Sequence, residues 1–326
     1  MPPPLRLIFM GTAELACASL AALADWPGAE VIAVVTQPDR PKGRDLKLQP
    51  SAVKSLALTR QIPVLQPARA RHEDFLAQLR ALAPDLIVVV AYGQILPPAI
   101  LELPRHGCLN VHTSLLPRHR GAAPIQWAIL DDDPVTGVTI MKMDAGLDTG
   151  DLVALATTPI APADNSQTLH DRLAEIGARL LLETIPGYVC GEIPPRPQPA
   201  TGSTYARKIT KHDGALDWTQ PARTLWNRIR AFTPWPGAFT HLPAAPAPLL
   251  LKIWRAEIES NACPGAPGEI LQADKTGLVI ACGTGALRVL ELQREGGRRL
   301  PAADFLAGPP LPVGLTLAPP QPPPAP

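Results

Sequence analysis

Two rhythms of apolar and polar positions run along this chain. In the first, short apolar runs alternate with stretches of helical period. LRLIFM (5–10) reads as a strand, Gly11-Thr12 as a turn and Glu14–Ala24 as a helix. VIAVVT (31–36) is a second strand, and a polar loop leads from it to Ser51, a good N-cap for the helix SAVKSLAL. IPVLQP, a helix over His72–Leu82, the run DLIVVVAYG, a short helix over Pro97–Glu102 and GCLNVH follow. A helix over Gly121–Leu130, the strand GVTIMKM and a long amphipathic helix over Leu169–Tyr188 close the series. Strands alternating with helices predict an α/β fold, a doubly wound, mostly parallel sheet of Rossmann-like type.

The rhythm breaks at GEIPPRPQPATGSTYARK (191–208), whose prolines and glycines mark a semi-rigid linker over 191–209. Beyond it one helix, Ala222–Ala231, is joined by short strands in PLLLKIWRAEIE, GEILQA, GLVIACG and ALRVLELQ. Several short strands with Gly-bearing turns predict a smaller β-barrel domain over 210–308. The division expected is therefore 1–190, linker, 210–308, and a Pro-rich tail over 309–326 that reads as disordered.

The candidate chemistry lies in the first domain. In GCLNVHTSLLP, strand alternation puts Asn110 and His112 on one face, roughly 6.5–7 Å apart at the α-carbons. An amide donor and an imidazole so placed can hold an oxyanion and handle a proton. Asp148, flanked by Gly146 and Gly150 after GVTIMKM, is a carboxylate expected at the same sheet edge as His112. Open α/β sheets bind ligands at such edges. VVVAYGQIL (88–96), with Ala91, Tyr92 and Gly93 at its turn, can wall a flat ring.

Other chemistries are disfavoured. Gly11 opens no G-x-G-x-x-G, so NAD is not expected, and there is neither a P-loop nor a G-x-S-x-G elbow. His106, His112 and His119 match no metal-ligand spacing, so no metal is expected. Five scattered cysteines without C-x-x-C point to a reducing cytoplasm. No run reaches the ~18–20 apolar residues of a membrane span. A net charge of +1 conceals −3 over residues 1–190 and +4 over 191–314. That asymmetry fits a polyanionic partner for the second half, and equally a solvated surface.

FMGTAELA (9–16), TQPDRPKGR (36–44), NVHTSLLPRHRGAAPIQWAIL (110–130), TGVTIMKMDAGLDTGD (136–151) and TYARKI…DW…IRAFTPWPGA (204–238) together resemble the formyltransferase family that uses 10-formyltetrahydrofolate. Within that family the likeness is to members acting on methionyl-tRNA, and it spans roughly residues 5–305. It implies transfer of a formyl group from the folate to the α-amine of initiator methionyl-tRNA, and an OB-like, tRNA-binding C-terminal domain. It implies a catalytic set of Asn110, His112 and Asp148, with folate contacts from Ser114, Leu115, Leu116 and Pro117. It also implies that the loop Gln37–Pro50, carrying Arg40, Lys42, Arg44 and Lys47, enters the acceptor end, with Arg44 as its key residue. Lys208, Lys211, Arg228 and Arg230 would hold the tRNA backbone, and a monomer is expected. Thr113 and Trp127 depart from the family pattern. The alternative is a formyltransferase acting on a small amine such as a purine precursor or an amino sugar; the second domain and the basic loop speak against it.

Overall fold

The computed structural model describes residues 3–42, 47–243, 248–260, 265–308 and 311–317. The chain divides into two compact units, 1–124 with 135–159 and 170–206, and 125–134 with 160–169 and 207–326.

In chain order, β1 (Leu5–Gly11), α1 (Ala16–Asp25) and β2 (Ala29–Val35) lead to an antiparallel pair, β3 (Arg40–Lys42) and β4 (Lys47–Gln49). Next come α2 (Ala52–Thr59), β5 (Val64–Leu65), α3 (Glu73–Leu82), β6 (Leu86–Val90), α4 (Pro98–Leu101) and β7 (Cys108–His112). Then follow β8 (Arg120–Gly121), α5 (Pro124–Leu130), β9 (Val135–Lys142), β10 (Asp151–Pro159), α6 (Ser166–Cys190) and β11 (Tyr205–Ala206). Ser51 caps α2 as its sequence predicts, its hydroxyl accepting from the Lys54 amide at 3.0 Å.

The first unit holds a seven-stranded sheet in the order β10-β9-β7-β6-β1-β2-β5. The five strands from β7 to β5 are parallel. Every residue of β6 is buried, as expected of a parallel strand covered on both faces. Ile8, Met10, Ile87, Val89 and Cys108 form one face with Phe75, Leu79 and Ile100. On the opposite face Gly177 of α6 lies so close to Val111 that a Cβ there would come within 2.9 Å of its side chain.

The sheet is mostly parallel, as the sequence reading expects, with an antiparallel edge that places β9's end differently from that reading. β9 runs antiparallel to β7, and β10 antiparallel to β9. The stretch between β9 and β10, residues 143–150, is too short for the crossover of a dozen or more residues that a parallel pair needs. β8 and β11 are among the elements that go unpredicted. Gly121, read as the start of a helix, forms β8 with Arg120 and pairs with β11, while α5 starts only at Pro124. The 191–206 stretch, read as linker, belongs to the first unit. Arg196 bridges to Leu152, and Tyr205–Ala206 pairs with Arg120–Gly121.

The second unit contains α7 (Ala222–Ala231), β12 (Ala238–Leu242), β13 (Leu249–Glu259), β14 (Ile270–Asp274), β15 (Gly277–Ala281), β16 (Ala286–Arg294), β17 (Leu300–Pro301) and α8 (Ala302–Leu306). Its sheet is antiparallel throughout, in the order β12-β13-β16-β15-β14 with β17 on β16. Leu225, Ile229, Leu251, Ile253, Leu278 and Leu287 are among its core.

The reading of 309–326 as a disordered tail needs correction for residues 311–317. Leu311 and Leu317 are buried in the second unit's core. The backbone continues the sheet edge: Gly314 N–H donates to Ile270 O and Ile270 N–H to Leu315 O, both at 2.9 Å. Proline-rich composition masks these spaced leucines, which supply the buried surface that the segment needs to order. The remainder of the tail, 309–310 and 318–326, lies outside the described residues.

Candidate active site

Alternation along β7 places Asn110 and His112 on the face that carries Cys108. Asn110 is half-buried and pairs in register with Val89, whereas His112 is only 6% exposed. His112 Nε2 lies 2.9 Å from the carbonyl oxygen of His119. A carbonyl only accepts, so Nε2 carries the proton and Nδ1 is the ring nitrogen left for chemistry. Nδ1 faces Asp148 Oδ2 at 3.7 Å. That distance is an ion pair whenever Nδ1 is protonated, but it is too long for a direct hydrogen bond.

Asp148 arrives by a route that the sequence does not show. Because β9 is antiparallel to β7, its carboxyl end lies beside Leu109 and not beside His112. The 143–150 loop must carry Asp148 back toward the histidine, and Asp148 takes a left-handed φ of +52°. Aspartate tolerates that region better than most residues. Two groups hold the loop through three hydrogen bonds: Gly121 N–H donates to Asp148 Oδ2 at 2.8 Å, and Gln198 Nε2 donates to the Asp148 and Gly150 carbonyls, each at 2.8 Å.

The Ser114–Pro117 loop spends its polar atoms internally. Ser114 is fully buried and donates to Arg118 O at 2.7 Å. Leu116 N–H donates to Thr139 Oγ1 at 3.2 Å, and Thr139 Oγ1 donates to Ser114 O at 2.7 Å. Leu115 alone of the four is half-exposed. At the end of β6, Ala91 and Gly93 are exposed with φ of +45° and +82°. Ile95 beyond them is 87% exposed. Tyr92 turns the other way: its ring is in the core, and burial pushes its phenol up to about 12. Only its carbonyl faces polar partners, accepting from Thr12 Oγ1 and Gln37 Nε2 at 2.9 Å each.

The arrangement offers an amide donor, an imidazole with one free nitrogen and a carboxylate, beside an exposed apolar turn. The decisive observation is the match of the whole chain. Sequence profiles described as "Formyl transferase" and "Formyl transferase, C-terminal domain" match residues 5–185 and 208–310. The chain belongs to the formyltransferase family.

Curated relatives of this formyltransferase include proteins named methionyl-tRNA formyltransferase. That of Trichlorobacter lovleyi is 52% identical, covering 96% of this chain and 97% of its own. That of Myxococcus xanthus is also 52% identical, over 93% and 95%. Among solved structures, the Helicobacter canadensis N-formyltransferase with folinic acid and dTDP-3-aminofucose is 18% identical with a TM-score of 0.63. It covers 91% of this chain and 100% of that one. HypX from Aquifex aeolicus with tetrahydrofolic acid is 19% identical with a TM-score of 0.59, over 93% of this chain and 47% of that one. Likenesses at this identity concern the fold.

The basic residues of this formyltransferase fall into distinct groups. Arg40 and Lys42 lie on β3 and Lys47 on β4, so the basic loop contributes two paired strands; Arg44 lies outside the described residues. Arg40 donates to Gln37 Oε1 at 2.7 Å. Lys208 and Lys211 are exposed. Arg228 and Arg230, read as phosphate contacts, are instead committed inside the second unit. Arg228 donates to the Asp213 carbonyl at 2.5 Å. Arg230 donates to the Ala161 and Asp164 carbonyls at 3.1 and 3.2 Å and to Asn227 Oδ1 at 2.8 Å. It also stacks 3.8 Å from the Trp226 ring centre, and burial lowers its guanidinium to about 10. Trp127 anchors the start of the C-terminal segment, its indole N–H donating to Arg207 O at 2.9 Å. Sequence reading missed His119, Gln198 and Thr204. Their contributions are backbone or long-range contacts, and the one signal present was a polar glutamine within the Pro-rich run.

Proposed function

We propose that this formyltransferase moves the formyl group of 10-formyltetrahydrofolate to the α-amine of initiator methionyl-tRNA. The observation that carries the reading is Asn110 and His112 side by side on β7 with Asp148 at 3.7 Å, in a chain of this family. An α-amine has a pKa near 8, so a usable fraction is neutral at pH 7 without a strong base. Its nitrogen attacks the formyl carbon, giving a tetrahedral oxyanion that the Asn110 side-chain N–H stabilises. The new C–N bond forms, the bond from the formyl carbon to the folate nitrogen breaks, and the proton lost by the amine ends on that nitrogen. His112 Nδ1 handles this proton, with Asp148 stabilising the charged ring, while the His119 carbonyl fixes the ring through Nε2.

Leu115, Ala91, Gly93 and Ile95 offer the apolar surface for the folate ring, and Ser114, Leu116 and Pro117 act through loop shape. Lys208, Lys211 and the β3–β4 strand pair with Arg44 contact tRNA, and the enzyme works as a cytoplasmic monomer. No helix among the described residues is long and apolar enough to cross a membrane. A small-amine substrate is the weaker reading, because relatives alike over nearly the full length carry the tRNA enzyme's name.

Incubation with 10-formyltetrahydrofolate and methionyl-tRNA should yield N-formylmethionyl-tRNA. Asn110→Ala and His112→Ala should each lower the single-turnover rate by about 10²–10³, the usual cost of a lost oxyanion donor or general base. Near-normal turnover by both variants would remove these residues from the mechanism.

A further inference from the structure

The 191–206 stretch reads in sequence as a passive connection, yet it holds both ends of the His112–Asp148 pair. Gln198 uses its whole amide. Its Nε2 donates to the carbonyls of Asp148 and Gly150 at 2.8 Å each. Its Oε1 accepts from Arg120 Nε at 3.1 Å and from Arg120 Nη2 at 2.6 Å. Arg120 is the residue before Gly121, whose N–H donates to the Asp148 carboxylate. Gln198 thus ties the loop bearing the carboxylate to the strand that bonds it.

Six residues further on, Thr204 Oγ1 accepts from the His119 amide at 2.8 Å, and His119 N–H shares that residue with the carbonyl that pins His112 Nε2. The two ends of the pair are therefore fixed by one stretch of chain. Asp148 needs the help, since it sits at a φ of +52° in a loop that must run back from the far end of β9. A residue held in that region persists only where its surroundings over-determine it.

We infer that Gln198 is a positioning residue of this transferase, holding the Asp148 loop so that its carboxylate faces His112 Nδ1, with Thr204 steadying the histidine end. The inference rests on the proposed roles of His112 and Asp148. Gln198 touches no reacting atom; it acts through the geometry of Asp148.

The test uses the full-length protein carrying Gln198→Glu. Glutamate keeps the size and the acceptor toward Arg120, so the segment stays docked, but it cannot donate to the two carbonyls. The expected result is a kcat lower by roughly ten- to a hundredfold, the range that a displacement of about 1 Å produces. KM for both substrates and the melting temperature should stay near those of the unaltered protein. In an Asp148→Asn background the same change should cost almost nothing more, because the interaction it supports is already gone. Thr204→Val should also lower kcat without moving KM. Wild-type kcat in Gln198→Glu, or a loss that simply multiplies that of Asp148→Asn, would overturn the assignment.

A second measurement stands apart from turnover. With 15N-labelled histidine, Gln198→Glu should shift the His112 Nδ1 signal and leave the Nε2 signal in place, since Nε2 is bound to the His119 carbonyl. An unchanged Nδ1 signal would count against the positioning role. If the unaltered protein fails to formylate methionyl-tRNA, the proposed function falls, and this spectrum alone decides the positioning role.

Discussion

Single residues in this protein divide by where their polar atoms are spent. Ser114 and Arg230 both look like ligand contacts in the sequence, and both are consumed internally. A guanidinium bonded to two backbone carbonyls and stacked on Trp226 is part of the fold's own bonding. Arg230→Ala should therefore destabilise the second unit by about 1 kcal/mol, the cost of losing hydrogen bonds to partly buried acceptors. It should leave the salt dependence of tRNA binding unchanged. Exposed Lys208 and Lys211 should behave in the opposite way, each alanine variant lowering the salt slope by about 1 with little loss of stability. Thermal melts and tRNA titrations at several salt concentrations separate the two classes. A flattened slope for Arg230→Ala would return that residue to the interface.

At the scale of elements, periodicity carries most of what the sequence reveals. The parallel strands are legible because burial on both faces leaves unbroken apolar runs such as LIVVV. Helix α7 is legible because its apolar spacing is clean, and its observed bounds, Ala222–Ala231, are those that the spacing predicts. Two-residue strands have no period, so β8 and β11 cannot be read in this way. Their pairing depends on Gly121, which has a φ of +117° and where a Cβ would come within 2.7 Å of the Ala206 carbonyl oxygen. Gly121→Ala should loosen this pairing and disturb the N–H that reaches Asp148. Limited proteolysis should then cut within 191–206 faster than in the unaltered protein, and kcat should fall. Equal cutting rates would show that the ladder survives the added methyl group.

For the whole molecule, the division into units does not follow chain order. Residues 125–134 and 160–169 belong with 207–326. Within that second unit Arg223 pairs with Asp132 at 2.8 Å, and buried Ser166 donates to the Thr233 carbonyl at 2.7 Å. A fragment ending at 206 keeps Gln198 and Thr204 but deprives Asp132, Trp127 and Ser166 of partners. One unpaired buried hydroxyl alone costs about 1–3 kcal/mol. The 1–206 fragment should thus melt below the full chain and bind a hydrophobic dye, as calorimetry and fluorescence can measure. A cooperative transition at the full chain's temperature would mean that the first unit is self-sufficient.

The amino-acid sequence by itself determined the α/β class, the facing of Asn110 and His112 on one strand, and the family motifs around them. These are properties of local period and of short contiguous stretches, which the chain carries without folding. Tertiary structure decided what depends on partners far apart in sequence. The reversal of β9 carries the chain away from His112, and the 143–150 loop returns Asp148 to face it. The folded chain also tied Arg230 to backbone carbonyls, buried the Tyr92 ring, packed Leu311 and Leu317 into a core, and bonded Gln198 to the Asp148 loop. A side chain's hydrogen-bond capacity is written in its identity, but which atoms use it is set only when distant segments are brought within about 3 Å.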